Sequence, residues 1–221
     1  KYQLDAVEQA LSIIEKNNGV ILADVVGLGK TIVACSIAKQ LNKRGVIICP
    51  PGIIGDKNKR DAGWEMYKEQ FGLYDWDVWS LGELDKLQNQ IVEGRLQDIE
   101  VVIIDEAHRF RNQDTQNYEY LKNICRGKIV ILLTATPFNN RPADILSLLK
   151  LFITPKQSNI TLENNLVDKF RAFKGIFDRL AYIDKYYKSK DQSKKDKVYS
   201  NYKAIFGEEF DPSKSMKKVK K

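Results

Sequence analysis

The sequence predicts an α/β fold in which a doubly wound parallel β-sheet is followed by a C-terminal helical extension. Two observations support this fold class. Short apolar runs recur through the first part of the chain, separated by segments long enough for helices, and these runs stop after Thr154. Strands that are buried on both faces by helices read as continuous apolar runs, which is the pattern seen here.

The apolar runs define five predicted strands, and one following segment has clear helical spacing. The runs are residues 20–23, 46–49, 78–79, 101–104 and 129–133. Apolar residues at helical spacing follow the first run, at Ile32, Cys35, Ile37, Ala38 and Leu41. Because ligands bind at the carboxyl ends of parallel strands, the residues that end or follow these runs are the candidate site residues.

Composition and charge bound the class of protein. A chain of 221 residues with 43% hydrophobic content can bury a sizeable core. No stretch approaches the about 20 apolar residues that cross a bilayer, and no secretory signal is evident. Cys35, Cys49 and Cys125 are odd in number and set among apolar neighbours, which predicts buried free thiols in a reducing compartment. Taken together, these features predict a cytoplasmic protein without membrane contact. The missing initiator Met favours a piece of a longer protein.

The net charge of +7 is placed unevenly along the chain. Residues 155–221 carry 17 Lys or Arg against 9 Asp or Glu, whereas residues 1–154 are close to neutral. The change in charge coincides with the end of the strand signals. We therefore predict two regions, an α/β domain over residues 1–154 and a basic helical extension over residues 155–221, with the boundary near Thr154-Pro155.

The first candidate site is a phosphate-binding loop, Gly27-Leu28-Gly29-Lys30-Thr31, which follows the first apolar run. Backbone N–H groups in such a turn close around an anionic oxygen, and the dipole of the next helix adds to the attraction. Lys30 would meet the outer phosphates and Thr31 would hold Mg²⁺. Asp24 stands where the full pattern has glycine, so a glycine-rich turn before a helix is the alternative.

The second candidate site is Asp105-Glu106-Ala107-His108, directly after the apolar run 101–104. Asp105 can hold Mg²⁺ through its water shell, and Glu106 can orient the water that attacks the γ-phosphorus and accept its proton. Surface charge and a bystander histidine are the alternative interpretation. Two acidic residues at the end of a run of β-branched residues favour the nucleotide role.

The third candidate site is Thr134-Ala135-Thr136-Pro137, at the end of the last apolar run. Two hydroxyls beside a catalytic carboxylate can hydrogen-bond it and report the state of the nucleotide. Thr-rich strand ends and X-Pro turns are also ordinary loop chemistry, so this segment is weak when taken alone.

In their order along the chain, these three segments resemble motifs I, II and III of superfamily 2 helicases, and more closely those of the Swi/Snf-related ATPases, which translocate on double-stranded DNA. Further points of resemblance are Tyr2-Gln3, Asp24, Cys49-Pro50-Pro51 and Trp64, together covering residues 2 to about 152. The resemblance implies a RecA-like P-loop NTPase lobe that uses ATP and Mg²⁺.

The resemblance also implies roles for single residues. Those expected to bind ATP are Gln3 (the Q motif, reading the adenine edge), Asp24, Gly27, Leu28, Gly29, Lys30 and Thr31. Lys30, Asp105, Glu106 and His108 are expected to be catalytic, with Thr31 and Asp105 at the metal and Thr134 and Thr136 coupling nucleotide state to the rest of the protein. Pro51 and Gly52 in motif Ia and Ser80 in motif Ib are expected to touch the DNA backbone. A second RecA-like lobe, C-terminal to this segment, is the expected partner, and this lobe alone is expected to hydrolyse ATP slowly.

Two other functions stay open at this point, an RNA helicase lobe and a nucleic-acid-binding scaffold with a vestigial ATPase. The extension is open too, because its lysines suit a solvated helix, DNA binding or a protein partner. Apolar residues there keep a helical spacing, at Leu162, Leu166, Phe170, Phe173, Phe177 and Leu180, and an aromatic stripe follows at Tyr182, Tyr186 and Tyr187. The spacing predicts a helical excursion whose aromatic side chains form its core.

Overall fold

A parallel β-sheet lies at the centre of residues 1–166, which form the first of two units; the second unit is residues 167–221. The computed structural model describes residues 2–23, 29–135, 142–153, 166–212 and 215–219. The expected boundary near Thr154-Pro155 lies outside the described residues.

Five strands, all parallel to their neighbours, are present among the described residues. They are β1 (Gly19–Ala23), β2 (Gly45–Cys49), β3 (Asp77–Ser80), β4 (Val101–Ile104) and β5 (Ile129–Thr134). Their order across the sheet is β1-β5-β4-β2-β3. Each predicted strand is confirmed to within two residues at either end, and the order places β5 between the strands that precede the first and second candidate sites.

Helices connect the strands of the first unit and make up the second unit. They are α1 (Tyr2–Asn17), α2 (Lys30–Leu41), α3 (Gly63–Phe71), α4 (Leu84–Val92), α5 (Gln116–Cys125), α6 (Pro142–Leu149), α7 (Leu166–Tyr186), α8 (Gln192–Phe206) and α9 (Ser215–Val219). Short 3₁₀ turns follow three of the strands, at Pro51–Ile53, Leu81–Glu83 and Ala107–Phe110.

The helices cover both faces of the sheet, so the doubly wound arrangement is confirmed. Along β4, Val101 and Ile103 pack into a core with α1, α2 and α3, whereas Val102 and Ile104 pack into a second core with α4, α5 and α6. All four side chains are fully buried. This alternation follows from the strand geometry, in which successive side chains point to opposite faces.

The three cysteines are free and buried, as the sequence predicts. Cys35 and Cys49 belong to the core on the α1–α3 face, and Cys125 to the core on the other face. Burial raises the pKa of each thiol to about 12. Thiols that hold their proton at neutral pH serve here as small apolar groups.

The second unit has a core of its own, formed by Ile183, Val198, Tyr202 and Phe210 from α7, α8 and the segment after α8. Tyr182, Tyr186 and Tyr187 are half-buried against it, as predicted.

The first half of α7 differs from the prediction, because Phe173 and Phe177 are 49% and 43% exposed rather than core residues. The reason is one of length. The 21 residues of α7 extend for about 31 Å at 1.5 Å per residue, and the core formed with α8 contacts only the C-terminal turns of α7. Leu162 and the side chain of Leu166 lie outside the described residues.

No helix in the described ranges combines the length and the apolar character that crossing a membrane requires.

Candidate nucleotide-binding site

The beginning of α2 carries the first candidate site. β1 ends at Ala23, and Gly29 precedes α2 in the left-handed backbone region with φ +82°. Glycine adopts that conformation at little cost, so the chain can turn there into the helix. Lys30 and Thr31 are the first two residues of α2 and both are half-buried. Asp24, Gly27 and Leu28 lie outside the described residues.

Gln3, in the first turn of α1, lies beside this turn. A Cβ atom added at Gly29 would sit 2.5 Å from Gln3 Nε2, so the amide of Gln3 occupies the space next to the glycine. The structure thus brings together the Q motif residue and the phosphate loop, which are 26 positions apart in the sequence. Contact of Gln3 with an adenine edge remains a prediction.

Asp105 follows β4 and is held by two hydrogen bonds, one to each carboxylate oxygen. Trp64 Nε1 donates to Oδ2 at 3.0 Å, and the backbone N–H of Glu106 donates to Oδ1 at 2.8 Å. Trp64 is only 1% exposed, so its indole is fixed by the core. The carboxylate therefore has a defined orientation at the carboxyl edge of the sheet.

The pKa of Asp105 lies above the ordinary aspartate value, chiefly because burial disfavours the charged form and secondarily because Glu106 is close. The hydrogen bonds from Trp64 and Glu106 and the positive charge of Lys30 oppose this rise. Lys30 begins the helix that follows β1, and Asp105 follows β4, two strands away in the order β1-β5-β4. Hence the charge-bearing residues of the first and second candidate sites lie on the same carboxyl edge of the sheet.

Glu106 turns the chain out of the sheet, with φ +53° in the left-handed region that non-glycine residues rarely adopt. This conformation leads directly into the 3₁₀ turn that carries His108. His108 Nδ1 lies 2.9 Å from Glu106 Oε2, but the two groups are not aligned for a hydrogen bond, so this is a close contact only. His108 therefore contacts the carboxylate that is expected to orient the attacking water.

Thr134 is the last residue of β5 and is 1% exposed. It pairs in register with Ala23, the last residue of β1, and β5 also pairs with β4. Thr134 therefore lies between the strand that precedes the phosphate loop and the strand that precedes Asp105. Thr136 lies outside the described residues.

The three residues expected to contact DNA lie on the same carboxyl edge of the sheet. Pro51 and Gly52 are exposed in the 3₁₀ turn after β2, and Ser80 ends β3 in register with Cys49 of β2. Ser80 Oγ accepts a hydrogen bond from the N–H of Gly82 at 3.2 Å, which shapes the turn after β3. The structure brings motifs Ia and Ib to neighbouring strand ends, beside the strand of Asp105.

The contact between Trp64 and Asp105 was not predicted. In the sequence Trp64 is only a point of family resemblance, and nothing there indicates that an indole 41 positions away reaches this carboxylate. The one available signal was a tryptophan in an otherwise polar segment that follows a predicted strand.

This combination of fold and site is that of a RecA-like nucleotide-binding lobe, in which a parallel sheet presents a phosphate-loop helix after its first strand and an acidic pair after the strand two places away. Comparison with known proteins then gives the family. Residues 1–139 match the family described as type III restriction enzyme, res subunit.

Among curated relatives, the chain is 32% identical over 184 residues to a Bacillus subtilis (strain 168) protein named "Uncharacterized ATP-dependent helicase YqhH", covering 78% of this chain and 32% of that protein. It is 26% identical over 204 residues to the Caenorhabditis elegans "SWI/SNF-related matrix-associated actin-dependent regulator of chromatin subfamily A containing DEAD/H box 1 homolog", covering 80% of this chain and 20% of that protein. The chain thus spans a third or less of the length of these relatives.

Among solved structures, the Sulfolobus solfataricus SWI2/SNF2 ATPase core in complex with dsDNA aligns with 92% of this chain and 56% of its own, at a TM-score of 0.53 and 18% identity. That similarity concerns the fold. The chain belongs to the type III restriction enzyme res subunit family. It has a RecA-like fold and is similar in sequence to an ATP-dependent helicase and to SWI/SNF-related proteins.

Proposed function

We propose that this chain is the ATP-binding lobe of an ATP-dependent translocase on double-stranded DNA, which hydrolyses ATP when joined to a second RecA-like lobe. One observation carries the proposal. Lys30, at the start of the helix after β1, and Asp105, after β4, lie on the same carboxyl edge of the sheet, and the Asp105 carboxylate is fixed by Trp64 and by the backbone of Glu106. An ammonium group and an oriented carboxylate at the ends of two strands that flank β5 suit a triphosphate and its counter-ion.

The residues present fit a magnesium ion bound together with a nucleotide. Mg²⁺ prefers oxygen ligands and usually retains several waters, being held by one or two carboxylates and the substrate phosphates. Asp105 and the hydroxyl of Thr31 are donors of this kind. No group of three or more His, Cys, Asp or Glu side chains able to hold a metal occurs in the described ranges, which suits a shared site better than a cage made by the protein alone. When bound, Mg²⁺ would neutralise charge on the phosphates.

Residues of the chain itself supply the other groups that ATP hydrolysis requires. Lys30 balances the charge of the outer phosphates. Glu106 orients the attacking water and takes its proton. His108, in contact with Glu106, and the buried Thr134 are placed to transmit the state of the nucleotide to the neighbouring lobe.

Duplex DNA is the proposed polymer substrate. The Sulfolobus solfataricus protein of similar fold is described in complex with dsDNA, and the Caenorhabditis elegans relative is named as a regulator of chromatin. In this chain, Pro51, Gly52 and Ser80 are placed to contact a phosphate backbone along the carboxyl edge of the sheet.

ATP turnover by the full-length protein, measured with and without duplex DNA, tests the proposal. Lys30→Ala and Glu106→Gln should each lower DNA-stimulated turnover by about 10²-fold or more, because each removes a group that acts on the transferred phosphoryl or its nucleophile. Lys39→Ala, also in α2 but exposed in its last turn, is the matched control and should leave turnover unchanged.

The outcomes separate the alternatives. Turnover that persists in both site variants would overturn the motor function and favour a binding module. Turnover stimulated by RNA and not by duplex DNA would replace the DNA translocase with an RNA helicase.

A further inference from the structure

Lysine ammonium groups lie close to tyrosine rings around the end of α7 and the first half of α8 in the second unit. Lys185 and Lys194 lie over the ring of Tyr186, with Nζ 5.2 and 5.5 Å from its centroid. Lys188 lies 5.4 Å from the centroid of Tyr187, and Lys197 lies 4.7 Å from that of Tyr182. We call these seven residues, from the end of α7 and the start of α8, the lysine–tyrosine surface.

This surface carries positive charge that neighbouring acids do not neutralise. Residues 182–197 contain six lysines and three aspartates. In the described part of the chain, Lys194 pairs with Asp191 at 3.5 Å, whereas Lys185, Lys188 and Lys197 have no carboxylate within ion-pair distance. Three ammonium groups without an acidic partner among the described residues are therefore held beside tyrosine rings.

Helix stability accounts for only part of this placement. Lys185 is in the last turn of α7, where a positive charge complements the helix dipole. Lys194 and Lys195 are in the first turn of α8, at the end where positive charge is disfavoured, and that turn contains no acidic residue. The N-cap Asp191 offsets this for Lys194, with which it pairs. Lys188, between the two helices, and Lys197, beyond the first turn of α8, are not explained by either helix dipole.

The geometry of the rings indicates which part of a nucleic acid the surface would contact. Tyr182 and Tyr186 are half-buried against the core and pack on each other with centroids 4.6 Å apart. Their faces also carry lysine ammonium groups, so they offer no free platform on which a base could stack. The groups that point to solvent are the ammonium ions, which match phosphate oxygens.

We propose that the lysine–tyrosine surface binds the sugar–phosphate backbone of duplex DNA, without reading sequence, as a contact additional to Pro51, Gly52 and Ser80. The choice of duplex DNA as the polyanion rests on the proposed function. The tyrosine rings hold the ammonium groups in place before binding, so less side-chain freedom is lost when phosphates arrive.

The test is the binding of chain 1–221 to a fluorescent duplex of about 20 base pairs, followed by anisotropy between about 50 and 200 mM salt. Lys185→Gln/Lys188→Gln/Lys197→Gln should lower the affinity about tenfold, and the dependence of log K on log salt should become shallower by about 0.9 for each phosphate that is no longer neutralised. Replacing the same three residues by Arg should restore both quantities, because the charge is kept.

The matched control removes three exposed lysines elsewhere, Lys16→Gln/Lys39→Gln/Lys174→Gln, and so has the same net charge. It should bind like the unaltered chain apart from a small uniform decrease in affinity. Urea unfolding of all variants checks that the second unit is still folded, and Lys197→Gln alone should give a smaller decrease in the same direction.

Equal affinity and equal salt dependence for the two triple variants would overturn the inference. A decrease confined to single-stranded DNA or to an acidic protein would also overturn it, because the proposal commits to duplex backbone. Either of these outcomes is compatible with the proposed function, provided that the full-length protein still shows DNA-stimulated ATP turnover that depends on Lys30. Absence of that stimulation in the unaltered full-length protein would instead remove the proposed function itself.

Discussion

At the scale of single residues, Trp64 decides the geometry of Asp105. A carboxylate at a strand end ordinarily has freedom about its side-chain torsions. Here one oxygen is held by an indole that is 1% exposed and the other by the next backbone N–H. Groups that hydrogen-bond the ligands of a metal typically contribute about 10- to 100-fold to its affinity.

We therefore predict that Trp64→Phe lowers the affinity of chain 1–221 for ATP in the presence of Mg²⁺ by about tenfold, with little change in the absence of Mg²⁺. Phenylalanine keeps an aromatic ring in the core but removes the donor to Asp105 together with some buried volume, a loss of volume that the Trp76→Phe control shares. Titration of a fluorescent ATP analogue at several Mg²⁺ concentrations measures the effect. Trp76→Phe is the matched control, because Trp76 is 2% exposed and donates to the carbonyl of Lys43, away from the site.

The same variant should shift the pH dependence of nucleotide binding. In the proposed site Asp105 would hold Mg²⁺ only when ionised, so Mg²⁺-dependent affinity should be present above its pKa and disappear as the pH falls through it. Burial raises this pKa and the hydrogen bond from Trp64 lowers it. In Trp64→Phe the decrease in affinity on the acid side should therefore move to higher pH, and an unchanged profile would mean that Trp64 acts on folding alone.

At the scale of secondary-structure elements, the start of β2 is closely packed between the neighbouring strand β4 and the ring of Trp76. A Cβ atom added at Gly45 would lie 2.5 Å from the Trp76 ring and 2.6 Å from the carbonyl oxygen of Val101. The second contact is to the backbone of the neighbouring strand β4, which cannot move aside without breaking the β2–β4 register.

Gly45→Ala should destabilise the first unit by about 1 to 3 kcal/mol, because the added methyl group overpacks a site bounded by backbone. Equilibrium unfolding in urea measures the change. Gly52→Ala is the control, since a Cβ atom there meets nothing within 4 Å. A Gly45→Ala variant as stable as the control would mean that β2 and β4 can separate slightly without a change in stability.

The elements differ in how far the sequence could predict them, and the reason is physical. Strands such as β4 and β5 were predictable because burial on both faces requires an uninterrupted apolar run. Asp105 and Glu106 could be predicted as site residues because two carboxylates directly after a buried strand lie at the edge of the sheet where ligands bind. The closeness of Gln3 to Gly29 and of Trp64 to Asp105 was not predictable from the residues themselves, because it depends on how separate elements pack.

In the first half of α7 the sequence pattern predicted more burial than the structure has. Phe173 and Phe177 keep the spacing of a buried helix face, but the core of the second unit ends before it reaches them. Periodicity reports that a face is apolar and says nothing about the length of the element that covers it.

At the scale of the whole molecule, the chain consists of two units, each with its own hydrophobic core. The first contains the sheet and the nucleotide site, and the second contains the lysine–tyrosine surface. Ile183 is fully buried at the centre of the second core. None of the residues assigned to the nucleotide site belongs to that core. A mutation in it should therefore lower the stability of the second unit without changing nucleotide binding.

Ile183→Ala should lower the stability of the second unit by about 2 to 5 kcal/mol, because it removes buried methyl groups and leaves a cavity. Hydrogen exchange resolved by peptide would show faster exchange in α7 and α8 and unchanged exchange in β4 and β5, with ATP affinity retained. Ile103→Ala, at an equally buried position of β4, is the reciprocal control and should impair the nucleotide site instead. Faster exchange throughout the sheet in Ile183→Ala would show that the two units unfold as one.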